Sequence, residues 1–139
     1  MDKREKGFSL IELLVVVAVV GIIATLAVPA LRKAMVAAEN GSTFSTMRTI
    51  SSTQMGFYTT NSRFARLNEV NNLMSSSLGD VSGNQLQRGR YTLDMSPAAP
   101  TDLELKDGFT ITATRNIPSE GTIYKYELNQ SGEIRQILP

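Results

Sequence analysis

Cysteine, histidine and tryptophan are all missing from the 139 residues of this chain. Their absence removes disulfides, thiol nucleophiles, imidazole bases and the commonest zinc ligands together. No charge of one sign dominates either: the formal net charge is +1, so the chain lacks the basic excess of an obvious polyanion binder. Internal repeats and low-complexity tracts are absent, and no acid, base and nucleophile stand together as an enzyme would need. The sequence therefore reads as a non-enzyme without cofactor or resident metal.

What the chain does have is one long apolar run. Residues Leu13 through Leu31 are uncharged, close to the roughly 20 residues that cross a bilayer's hydrocarbon core as a helix. A carboxylate, Glu12, stands at its very start, where it is costly unless it is paired or reaches the interface. Before it come Gly7-Phe8-Ser9-Leu10-Ile11, and before those the charged stretch Asp2-Lys3-Arg4-Glu5-Lys6.

The segment Gly7-Phe8-Ser9-Leu10-Ile11-Glu12-Leu13-Leu14 resembles the class III signal sequence of type IV pilins and pseudopilins. The resemblance covers roughly the first 35 residues. It implies that a membrane aspartyl peptidase cuts after Gly7 and N-methylates the new terminus at Phe8. It also implies that Glu12 serves assembly, and that Gly21 and Pro29 fall where the family has a helix-loosening glycine and proline. Many Gram-negative pilins close a C-terminal loop with a disulfide; this chain, without cysteine, departs from that subgroup.

Elementary chemistry supports these residue types independently. Gly7 lacks a Cβ, so its backbone can lie extended against a protease cleft. Cutting there leaves an ammonium on Phe8, and one methyl group leaves it protonated. Phe8 and Glu12 are i and i+4 on a helix, so the carboxylate can reach its own terminus or, in a bundle, a neighbour's amine. A buried ion pair of that kind sets register more than it adds stability. Pro29 removes a backbone donor, so with Gly21 it bends or opens the helix.

Lys3, Arg4 and Lys6 place the N-terminus in the cytoplasm and everything after about residue 33 outside. A cleaved secretory signal is the competing interpretation. It fits less well, because the apolar run is too long, an acid interrupts its start and no A-x-A site follows.

Beyond the span the helix continues through Arg32-Lys33-Ala34-Met35-Val36-Ala37-Ala38-Glu39. Phe44, Met47, Ile50, Met55, Phe57 and Tyr58 then share an arc of about 160° that seeks a core. Asn40-Gly41-Ser42 marks a bend or break, and the helix should end near Tyr58. Leu67, Val70, Leu73, Met74 and Leu78 are spaced as one face of a short helix, and residues 79–89 read as a loop. Strand alternation follows in Tyr91/Leu93/Met95, Phe109/Ile111/Ala113, Tyr124/Tyr126/Leu128 and residues 133–138. Turns fall at Pro118-Ser119-Glu120-Gly121 and Asn129-Gln130-Ser131-Gly132.

The expected fold is α+β: a long N-terminal helix, half transmembrane and half amphipathic, against an antiparallel sheet of three or four strands. This is the ladle shape that the resemblance implies. The expected organisation is a leader over residues 1–7, a span over 8–33 and an exterior domain over 34–139. Two weaker constellations remain. Asp102, Glu104 and Asp107 are oxygen ligands of the kind calcium prefers, but they lack loop spacing and Lys106 lies among them. Arg63, Arg66, Arg88 and Arg90 beside Phe64 and Tyr91 resemble a nucleic-acid grip, which the near-neutral charge disfavours.

The reading is a structural subunit of a type IV pilus-like filament. It would be inserted in the inner membrane, cut by prepilin peptidase, and assembled by the pilus machinery into an extracellular helical homo-oligomer. The alternatives are a type II secretion pseudopilin or minor pilin and, from another class, a single-pass anchored receptor domain.

Overall fold

Helix α1 spans Leu10–Asn61 of the computed structural model, which describes residues 7–118 and 121–139. The helix starts where a serine and a glutamate three residues apart cap each other: the Ser9 amide and hydroxyl donate to Glu12 Oε2 at 2.9 and 2.8 Å, and the Glu12 amide returns to Ser9 Oγ at 3.3 Å. It stops at Ser62, whose backbone is left-handed (φ 54°) and whose amide donates to the Tyr58 carbonyl at 2.9 Å. The end lies three residues past Tyr58, and Asn40-Gly41-Ser42 stays helical instead of breaking.

Contacts divide the chain into two compact units, Met1–Ala38 and Glu39–Pro139. In the first, residues 10–38 form helix alone. In the second, the rest of α1 is followed by α2 (Leu67–Leu73), strands β1 (Asp80–Ser82), β2 (Gln85–Arg88) and β3 (Tyr91–Ser96), a short helix α3 (Glu104–Asp107), and strands β4 (Thr110–Ile117), β5 (Thr122–Asn129) and β6 (Ile134–Leu138). The strands form one antiparallel sheet in simple sequential order.

The α+β class and the long helix on an antiparallel sheet stand as expected, but the sheet has six strands where three or four were anticipated. The extra two, β1 and β2, lie inside the segment read as a loop. Each carries one inward apolar residue, Val81 or Leu86, so the period-two pattern is too short to show. Gly79 feeds this hairpin at φ 154°, where a Cβ would run into the Gln87 carbonyl oxygen.

The core is built from cross-strand rows. Leu86, Leu93, Ala113 and Tyr126 stand opposite one another across β2 to β5, and Met95, Ile111 and Leu128 across β3 to β5. All are buried, because alternate residues of a strand share one face. Met47 and Ile50 of α1 cover that face with Leu67 and Val70 of α2. The apolar arc expected on α1 needs correction. Met55 and Tyr58 are exposed and Phe44 and Phe57 only half-buried, whereas Thr43, Thr46 and Gln54 are buried. Gln54 is completely enclosed because its amide satisfies both backbone groups of Ala65, at 2.8 and 2.7 Å. Leu73, expected on the inner face of α2, is likewise exposed, while Asn71 is buried and holds the Leu78 amide.

The turn Asn129-Gln130-Ser131-Gly132 forms as expected: Asn129 Oδ1 accepts from the Ser131 and Glu133 amides. Of the other expected turn, Ser119 and Glu120 lie outside the described residues.

Candidate assembly site

Of the N-terminal residues that the sequence singles out, Gly7 and Phe8 precede α1, and Glu12, Gly21 and Pro29 lie in a part of it that buries nothing. Residues 7–38 are exposed throughout apart from half-buried Val36, with Phe8 89% exposed and Leu26 74%. Among the described residues α1 is the one helix long and apolar enough to cross a membrane. Water does not tolerate an apolar surface of this extent on an isolated chain, so the segment needs lipid or other protein around it.

The Glu12 carboxylate sits at the first turn, where the helix dipole favours a negative charge. Both of its hydrogen bonds from Ser9 end on Oε2. The carboxylate is thus engaged by Ser9, and the Phe8 nitrogen is part of a peptide bond. Sequence reasoning missed Ser9, although the Ser-x-x-Glu spacing was there to be read. Gly21 and Pro29 both lie within continuous helix, and a Cβ added at Gly7 or Gly21 would meet nothing within 4 Å. No contact among the described residues requires either glycine. Lys3, Arg4 and Lys6, which carry the topology argument, lie outside the described residues.

The weaker constellations resolve differently. Asp102 faces arginines: Arg66 Nη2 lies 2.6 Å from its Oδ1 and Arg63 Nε 3.4 Å. Glu104 caps Thr101, accepting from its amide and hydroxyl at 2.8 Å each. No cluster of three acids suited to a metal occurs among the described residues. Arg63 makes a two-pronged pair with Glu69 at 2.7 and 2.9 Å, Arg66 donates to the Pro100 carbonyl, Arg88 donates to the carbonyls of Ser77 and Leu78, and Arg90 faces Glu39 at 3.8 Å. Arg63, Arg66 and Arg88 are therefore occupied within the domain, while Arg90 is largely exposed beside Glu39. Hydrogen bonding to Arg63 is the main cause that lowers the Glu69 carboxyl to about 2, outweighing its partial burial.

A family model described as the prokaryotic N-terminal methylation motif matches residues 2–28. No curated protein and no solved structure shows significant similarity to the chain. The match covers Gly7, the capping carboxylate Glu12 and the exposed helix as far as Val28, ending one residue before Pro29. The N-terminal segment of this chain thus matches the prokaryotic N-terminal methylation motif, the prepilin-type signal of type IV pilins and pseudopilins.

Proposed function

We propose that this chain is the precursor of a structural subunit of a type IV pilus-like filament. One observation carries the proposal: the methylation motif is continuous with a helical segment, residues 10–35, whose apolar side chains are all open, so that the signal and the surface needing cover are one element. The precursor lies in the inner membrane with Lys3, Arg4 and Lys6 on the cytoplasmic side and the sheet-bearing domain outside. Prepilin peptidase hydrolyses the Gly7–Phe8 peptide bond, releasing residues 1–7 as a carboxylate-ended leader and leaving an ammonium on Phe8, which is then methylated.

The assembly machinery then extracts the subunit, and its span, residues 8–33, packs among the same helices of other copies. That burial replaces lipid contacts with protein contacts at little cost, because both are apolar. Register comes from Glu12 pairing with the Phe8 amine of a neighbour, since an unmatched charge in that environment is strongly disfavoured. A head-to-tail contact of this kind repeats without closing and yields a fibre. Gly21 and Pro29 loosen the packed helix.

Glu12→Ala tests the register step. The variant should be cut and methylated normally while filament yield falls at least about a hundredfold, the scale of a lost buried charge pair. Normal filament yield would defeat the proposal. A secretion pseudopilin shares every one of these steps but makes a short periplasmic fibre, so shearing of cells separates the two.

A further inference from the structure

The helical stretch that opens the sheet-bearing unit is made of poor helix formers. Residues 40–46 read Asn-Gly-Ser-Thr-Phe-Ser-Thr, with no Ala, Leu, Glu, Lys or other strong former among them. Thr46 turns its hydroxyl back onto the Ser42 carbonyl at 2.9 Å, a local bond that competes with regular helix. The first fully buried apolar side chains of α1 come only afterwards, at Met47 and Ile50. An isolated helix of such composition would not hold in water.

A polar clamp stands just ahead of this stretch. Glu39 makes an ion pair with Arg115 of β4, a guanidinium only 2% exposed, and lies 3.8 Å from Arg90. Beside it, the Tyr91 hydroxyl of β3 donates to Asn40 Oδ1 at 2.6 Å. Burial pushes the Tyr91 hydroxyl up from its ordinary range, so it remains a donor at any physiological pH. Among the described residues Arg115 Nε and Nη1 and Glu39 Oε2 have no hydrogen-bond partner, so the two side chains meet as a charge contact, and Glu39 is the acid that meets this arginine. A buried guanidinium without its counter-ion is strongly disfavoured, which draws Glu39 onto the sheet.

We propose that residues 40–46 are a conditional helix, kept wound by the clamp of Glu39 and Asn40 on Arg115, Arg90 and Tyr91, and released as slack when the clamp opens. Unwinding seven residues from about 1.5 to about 3.4 Å each lengthens the chain by about 13 Å while Met47 and Ile50 keep the core closed. The device rests on the fold alone and applies equally to a filament subunit under load and to an anchored domain. It is separate from Gly21 and Pro29, which lie in the other unit.

Amide hydrogen exchange on the full mature chain in detergent micelles tests it. Glu39→Gln should speed exchange at residues 40–46 about tenfold or more relative to residues 47–54, as expected for loss of a charged partner. Tyr91→Phe, which removes one hydroxyl and keeps the core ring, should do the same to a smaller degree, and it carries the test if Glu39→Gln does not fold. Glu133→Gln, which breaks the surface pair with Arg135, should leave residues 40–46 unchanged. Unchanged exchange in Tyr91→Phe and any folded Glu39→Gln overturns the proposal, as does a rise spread evenly over the domain.

Discussion

The two units of this chain obey opposite rules. In residues 10–38 the large apolar side chains face outward, whereas from Glu39 onward Leu86, Leu93, Ile111 and Leu128 are wholly enclosed. Glycine shows the same contrast: Gly21 has open space where a Cβ would go, whereas Gly79 has the Gln87 carbonyl. The second unit is thus specified by its own packing. The first is specified by something outside the chain, first a membrane and then, in our reading, copies of itself.

Matched substitutions sharpen this contrast. Ile111→Ala removes a fully buried side chain and should cost the domain about 2–5 kcal/mol. Ile22→Ala, at a position 66% exposed, should leave the domain's thermal midpoint unchanged. Calorimetry of both variants in micelles checks the pair, and a comparable loss in each would erase the division between units. Gly79→Ala should follow with about 1–3 kcal/mol, from the collision and the positive φ together. Gly21→Ala should cost the domain nothing and favour helix by about 1 kcal/mol, seen as less extensible fibres with an unaltered domain melt.

A further effect concerns acid. Glu69 is held at about 2 against an ordinary 4.5, so it binds protons more weakly folded than unfolded. Its stabilisation is therefore complete above about pH 4.5 and is lost as pH falls towards about 2. With the carboxylate 29% exposed, solvent screening reduces this to about 1–2 kcal/mol. Glu69→Gln should flatten the acid limb of the stability profile, and an acid limb as steep as that of the unsubstituted protein would show that Glu69 is not its source.

The sequence was most legible where a pattern is long or a motif is strict. The N-terminal motif, the alternation in β3 to β6 and the turn at Asn129 were open to reading. The β1–β2 hairpin was hidden because each strand carries a single inward apolar residue, although Gly83-Asn84 is a recognised two-residue hairpin turn. On α1 the buried face was misjudged because polarity was equated with exposure. Gln54 is enclosed by virtue of the bonds it makes to Ala65, and those depend on where a residue eleven positions later is folded. Arg115 and Glu39 are 76 positions apart by their numbers, and no local period links them. At the candidate assembly site, Gly7, Phe8 and Glu12 were singled out while Ser9, which holds the carboxylate, was passed over.

The measurement that bears most directly on the filament reading is the intact mass and N-terminal residue of this protein in material sheared from the surface of native cells. Abundant protein beginning at methylated Phe8 is the predicted result. The same mature form confined to the membranes would assign the chain to a pseudopilin or minor pilin, and an N-terminus still carrying residues 1–7 would contradict the filament reading.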